Sequence, residues 1–372
     1  MKTRNINIIF SIVLVITVGV TAFLVVRSHN KGEAGDSLPV NAETTMQSLR
    51  VDGFYLEGTN WVYYENEKRS GRSDLIFGTV NNEEAWWYVK NGIVDFKHNA
   101  LFKNNNGEGW WLVRNGKATE EDADTIALKA SEFLNVQISA EGINTIGGFD
   151  LSEEDKNSID TALKNIEDQG YKAGFFVMDI NTFKGIVYNP DQPIYSASTV
   201  KAPYVVSVIK GDESVFEKEK NTINSILKNS SNTAYASFRN RYGNDRFYFW
   251  TAEIPADIEE VTSDYYQDLS PRQLAHMWFK SYFFFESSET GKKLGEMLEN
   301  PAVSPINKAL SDKYKTRTKA GWYASSNVNV TNDAGIVYSD NGTYLIAVMT
   351  TAPEKYDIVE ELVKTIDVAM TK

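Results

Sequence analysis

An α+β layered domain is the fold class expected for residues 150–372, and three observations lead to it. The amphipathic elements run helix, two strands, a helical middle, three strands, helix, an order that suits one antiparallel sheet with helices packed on its faces. Cap and turn signals separate them: Ser270 and Gln273 form a capping box with Pro271 at the first helical position, and Asp340-Asn341-Gly342 joins two strand runs as a hairpin. Ahead of this domain, aromatic clusters recur with Asn-Gly pairs, the pattern of a small all-β hairpin module. An N-terminal transmembrane helix completes the expected architecture.

The chain opens with Lys2 and Arg4 in a short tail, residues 1–5, which favour a cytoplasmic N-terminus, although Arg27 and Lys31 beyond the apolar run nearly balance them. The uncharged run Ile6 to Val26 has the length of about 20 residues that a bilayer-spanning helix needs. Val20-Thr21-Ala22 offers a signal-cleavage site, but Phe23-Leu24-Val25-Val26 prolongs the apolar run past it. An uncleaved anchor is the preferred reading and a cleaved signal its rival. Both export the rest of the chain, and residues 27–50 read as a linker leaving the membrane.

Residues 51–118 form the aromatic module. Asn60-Trp61-Val62-Tyr63-Tyr64, Ala85-Trp86-Trp87-Tyr88-Val89 and Gly109-Trp110-Trp111-Leu112-Val113 recur at spacings of about 25 residues, long enough for neighbouring units to bury one another's aromatic faces. Asn91-Gly92 and Asn115-Gly116 follow two of them and suit type I′ turns. The stretch resembles the Trp/Tyr-Gly cell-wall-binding repeats of Gram-positive surface proteins. That resemblance implies a cell-wall polymer as partner of residues 60–117, held by exposed rings that cage choline or stack on sugars. A spacer whose tryptophans are its own core stands beside that reading. Residues 119–149 then read as an acidic connecting helix with Ile126, Leu128, Ala130 and Phe133 on its apolar pattern, closed by Gly142, Gly147 and Gly148.

In the C-terminal domain, Ser152 caps a helix whose Ile159, Leu163 and Ile166 share a face. Strands are expected over Ala173 to Ile180 and Gly185 to Tyr188, and a helix from Ser198 to about Gly211. A helix about Thr222 to Lys228 and another from Pro271 make the helical middle. Strands at Tyr314 to Trp322, Asn332 to Ser339 and Thr343 to Thr351 precede a closing helix, Glu354 to Met370.

Composition excludes several functions. A net charge of −12 gives no footprint for nucleic acid. The absence of cysteine removes disulfides and thiolate metal sites, and His29, His98 and His276 are scattered, so no metal and no cofactor is expected.

Serine chemistry remains. In Ser198-Thr199-Val200-Lys201, one helical turn places the Lys201 amine beside the Ser198 hydroxyl, the arrangement that activates a weak nucleophile. The same spacing occurs at Ser28/Lys31, Ser207/Lys210 and Ser225/Lys228, so context has to single out one. Residues 150–372 resemble the class A β-lactamase and penicillin-binding serine hydrolase family. Ser198-Thr199-Val200-Lys201 matches its Ser-x-x-Lys, Ser230-Ser231-Asn232 its Ser-Asp-Asn, and Lys319-Ala320-Gly321 its Lys-Thr-Gly, in the family's order. Asn232-Thr233-Ala234 and Thr331-Asn332-Asp333-Ala334-Gly335-Ile336 continue the likeness. The resemblance implies Ser198 as nucleophile, Lys201 as base, Ser230 as proton relay and Lys319 as its electrostatic support. Asn232 would contact the acyl side chain of a β-lactam or D-Ala-D-Ala-type peptide, and the backbone N–H groups of Ser198 and Trp322, after Gly321, would form the oxyanion hole.

Departures accompany it. Ala320 lacks the hydroxyl that helps hold a substrate carboxylate, and Arg317, two residues before Lys319 on the same strand face, is expected to compensate. Trp322 puts a bulky ring beside the oxyanion position, and the short connection between Lys201 and Ser230 opens one wall of the cleft. No Glu-x-x-Leu-Asn loop is present; Glu253 stands roughly in its place as a candidate deacylation base, with Glu259 and Glu260 nearby, but none has a partner asparagine and an ordinary loop carboxylate is the preferred reading of each. Slow deacylation would make the protein behave as a penicillin-binding protein. The rival from another class is a non-catalytic wall-binding or sensing protein that keeps the fold.

Overall fold

The computed structural model describes residues 50–104, 109–138, 140–254 and 264–372. The expected tail 1–5, the anchor 6–26 and the linker up to residue 49 lie outside the described residues, as do Glu259 and Glu260. Among the described residues no helix is long and apolar enough to cross a membrane.

Strands buried on both faces build the central sheet. Its order is Asn144–Ile146, Gly185–Tyr188, Ala173–Asp179, Gly342–Thr350, Asn329–Ser339 and Lys315–Ala324, all neighbours antiparallel. Side chains alternate across a strand. Phe175 and Val177 therefore join one core with Ile159, Leu163 and Leu362, while Phe176 and Met178 join the other with Val205 and Trp278. The first core lies under the helices Glu153–Glu167 and Tyr356–Met370, the second under Lys201–Gly211 and Pro271–Ser287. Lys315–Ala324 is the end strand, which leaves one edge free for a site.

Local chemistry starts the elements where the sequence signals them. The Ser152 hydroxyl accepts from the Asp155 N–H at 3.1 Å. Ser270 and Gln273 form the capping box, with Pro271 in the first turn. His276 on that helix is buried, 3.0 Å from the Asn135 side chain, and burial pushes its imidazole down to about 3, so it is a neutral packing residue.

Three details differ from expectation. Asn144–Ile146, ahead of residue 150, adds a sixth strand to the sheet; a three-residue run between glycines carries too little periodicity to be seen. The helix expected at 222–228 spans Ser214–Leu227, and Asn232–Tyr242 and Asp245–Thr251 add two more. The helix Ala123–Ser131 starts after the strand Lys117–Glu121 and is capped by Asp122.

Residues 53–121 form a second antiparallel sheet. Asn91 and Gly92 have φ of 52° and 75°, and Asn115 and Gly116 have 52° and 78°, the left-handed pairs that a type I′ turn requires. Asn81 and Asn82 supply a third pair, at 52° and 63°. Neighbouring tryptophans take opposite faces: Trp87 is buried with Ile76, Val80 and Val94, whereas Trp86 is exposed. Trp110 turns inward too, its ring 5.0 Å from Phe283 of the long helix. Leu101 exchanges hydrogen bonds with Asn181, its N–H donating to the Asn181 carbonyl at 2.7 Å and its carbonyl accepting from Nδ2 at 2.9 Å. The second sheet is thus packed against the long helix Pro271–Ser287 and the turn at Asn181.

Candidate active site

The nucleophile candidate stands on a tight turn. Ala197–Val200 is a 3₁₀ helix that runs straight into the helix Lys201–Gly211. Side chains at i and i+3 eclipse in a 3₁₀ turn, so Ser198 and Lys201 share one face. Ala197 has a φ of 46°, a region that an alanine enters at a cost of about 1 kcal/mol or more. The turn is over-determined by its surroundings. Thr199 donates its hydroxyl to the Ser196 carbonyl at 2.7 Å, and Asn332 Nδ2 donates to the Tyr195 carbonyl at 2.8 Å. Asn332 in turn accepts from the Thr350 N–H at 3.0 Å, tying the nucleophile turn to the middle of the sheet.

Gly321 explains how closely strand and turn meet. A Cβ there would lie 2.5 Å from Ser198 N and 2.6 Å from both Ser196 O and Thr199 N, all backbone atoms. Gly321→Ala is expected to push the end strand away from the turn, destabilise by about 1–3 kcal/mol and cut acylation roughly 10²-fold. Thermal melts together with acylation rates check this; an unchanged rate refutes the close approach.

The same strand presents an amide to the cleft. The Thr318 N–H leaves the sheet at its open edge and donates to the Leu298 carbonyl at 3.1 Å. The two-residue period of a strand puts the Trp322 N–H on that edge as well, next to Gly321 and hence next to the Ser198 amide. The Trp322 ring stays beside the site, 5.8 Å from Lys319 Nζ. The pleat turns it to the opposite face from Gly321, edge-on to Tyr356 at 6.1 Å.

Two buried lysines meet at Ser230. Lys201 Nζ donates to the Ser230 carbonyl at 2.7 Å and to Asn232 Oδ1 at 2.6 Å, and Lys319 Nζ donates to Ser230 Oγ at 2.9 Å and to the Ala320 carbonyl at 2.7 Å. Ser230, at a φ of 56°, and Asn232 sit at the start of the helix Asn232–Tyr242, where the Ser231 hydroxyl caps the Ala234 N–H. Burial lowers the Lys201 amine to about 8. Burial, then the Lys201 charge, lowers Lys319 to about 7, with Asp333 acting in the opposite sense. A neutral Lys201 amine has two N–H donors, both engaged, so its lone pair remains to take a proton.

Asp333 is the buried acid behind this strand. It pairs across the ladder with Ala320, accepts from the Ser304 hydroxyl and from the Ile306 N–H at 3.0 Å, and burial pushes it up to about 7. Asn332 and Asp333, two polar residues inside a strand buried on both faces, were the available sequence signal for these roles.

Two expected site residues are elsewhere. Arg317 does not stand in for the missing hydroxyl of Ala320. Its Nη1 donates to Glu286 at 3.1 Å and to the Tyr338 hydroxyl at 2.9 Å, and its Nε to Glu299 at 3.2 Å, a buried network. Glu253 is paired with Lys280 at 2.7 Å in a cavity that also holds Lys210 and Gly211, at the far end of the helix that begins with Lys201. Lys280, buried and donating to the Trp250 carbonyl as well, needs that carboxylate.

Ser198, Lys201, Ser230, Asn232, Lys319, Gly321 and Trp322 are therefore brought to one place, and among the described residues no group of three or more His, Cys, Asp or Glu could hold a metal. Residues 156–214 and 218–369, over half of the chain, match the model of the β-lactamase enzyme family. Solved structures similar to the chain include a β-lactamase from Sphaerobacter thermophilus, 16% identical over 57% of this chain and 95% of that one, with a TM-score of 0.47. PBP-A is 18% identical over 57% and 96%, at 0.44, and the TLA-3 extended-spectrum β-lactamase is 20% identical over 59% and 99%, at 0.48. No curated protein matches the chain.

Proposed function

The chain belongs to the β-lactamase enzyme family, and we propose that it is a serine hydrolase that forms an acyl-enzyme at Ser198 with β-lactams or related D-Ala-D-Ala-type amides and then hydrolyses it. The observation that carries this reading is the buried Lys201 amine, lowered to about 8 and held by Ser230 and Asn232 with its lone pair free. Ser198 Oγ adds to the amide carbonyl while its proton passes to neutral Lys201. The oxyanion lies between the N–H groups of Ser198 and Trp322. As the C–N bond breaks, Ser230, oriented by Lys319, hands a proton to the leaving nitrogen and takes one from the Lys201 ammonium. Asn232 meets the acyl side chain. Water then cleaves the ester, slowly, since Glu253 is held by Lys280.

Mass spectrometry of the protein mixed with penicillin, followed over time, tests this. One adduct on Ser198 that is released slowly is the expected course. No adduct overturns the acyl-transfer reading, and fast turnover of a chromogenic cephalosporin overturns slow deacylation.

A row of rings on the outer face of the second sheet favours a further partner. Phe77, Trp86 and Phe102 are exposed, with Phe77–Trp86 at 5.6 Å and Trp86–Trp111 at 5.8 Å between centroids. In our reading this face contacts a cell-wall polymer, and residues 6–26 anchor the protein in the cell membrane with the catalytic domain outside. Binding alone, without catalysis, is the rival this row supports. Trp86→Ala is expected to weaken sedimentation with purified cell wall roughly two- to tenfold; equal binding by both proteins removes the polymer reading.

A further inference from the structure

Three tyrosines from three separate segments converge beside Ser198. Tyr195 ends the short strand Ile194–Tyr195 just ahead of the nucleophile turn, Tyr323 lies two residues after Gly321, and Tyr266 follows the segment 255–263. Tyr195 and Tyr323 have ring centroids 6.3 Å apart, and Tyr195 and Tyr266 6.5 Å. The pleat sets Tyr323 on the face of Gly321, towards the nucleophile turn, and half of its surface is open to solvent. Tyr266 donates its hydroxyl to Asn232 Oδ1 at 3.2 Å, and its ring lies 5.6 Å from Lys201 Nζ.

We propose that Tyr195, Tyr266 and Tyr323 form an aromatic wall that selects substrates by a planar, apolar group on the acyl side of the scissile amide. This rests on the acyl-transfer reading above. The wall is rigid where it meets the nucleophile: the Tyr195 carbonyl is held by Asn332, and Tyr195 pairs with Asp268 in a short two-stranded bridge. Burial pushes the Tyr195 and Tyr266 phenols further up, the latter to about 12. The wall adjoins Asn232, the residue assigned to the acyl side chain. A substrate ring at this place would meet tyrosine rings at the offset or edge-on separations that aromatic pairs prefer.

The test compares acylation rates of the full-length protein with benzylpenicillin and with 6-acetamidopenicillanic acid, which keeps the nucleus and the amide but lacks the ring. Both are measured by mass spectrometry for the wild type, Tyr323→Ala and Tyr323→Phe. The wild type should prefer benzylpenicillin, and Tyr323→Ala should lower that preference roughly three- to tenfold. Tyr323→Phe, which restores the ring, should recover it. Acylation by both compounds with the same preference in all three proteins overturns the wall alone. No acylation of the wild type by either compound overturns the acyl-transfer reading, and the wall with it.

Discussion

Ser198→Ala is expected to take up no penicillin, a loss of roughly 10⁶-fold on the scale set by removing a catalytic serine elsewhere. The size follows from the division of labour at the site. In the proposed mechanism Lys201, Ser230 and Lys319 move or balance protons, and the Ser198 oxygen alone forms the new bond to carbon. Ser198 is half-buried on a turn held by the Thr199 hydroxyl and by Asn332, so the fold should survive, with stability within about 0.5 kcal/mol of the wild type. Intact-mass spectra after incubation with penicillin, beside a thermal melt, provide the measurement. An adduct on the alanine variant would mean that another nucleophile carries the reaction.

Lys201→Met should reduce acylation by roughly 10²- to 10⁴-fold, the usual contribution of a positioned base. The pH dependence sharpens this. With its amine at about 8, Lys201 is mostly ammonium at pH 6 and becomes a base as pH rises, so the wild-type rate should climb through pH 8 and level above it. Methionine removes that limb. Removing the Lys201 charge also relieves one of the causes that lower Lys319, whose amine should then titrate at higher pH. A rising limb that persists near pH 8 in the variant would assign the base elsewhere.

Local chemistry explains which features were legible. The Ser152 and Ser270 caps, the Asn91-Gly92 and Asn115-Gly116 turns and the Ser198-to-Lys201 turn each rest on residues a few positions apart. Arg317 and Glu253 are taken up by Glu286, Glu299 and Lys280 because strand face and loop position say where a side chain starts, not which partner captures it. Glu286, Glu299 and Lys280 come from other helices and loops, and a buried charge goes to whichever opposite charge the fold delivers. Asn144–Ile146 was invisible because a short strand owes its existence to the partner it pairs with.

The order of the elements, the antiparallel hairpins and the placing of Ser198 and Lys201 on one face of a turn were determined by the sequence itself, since each depends on backbone preference and short-range spacing. Only the tertiary structure decided that Gly321 lies against the Ser198 amide, that Ser230 joins two buried lysines, and that Asn332 holds the nucleophile turn. Those depend on burial: removing the lysines from water shifts their protonation, and that shift exists only once sheet and helices have closed around them.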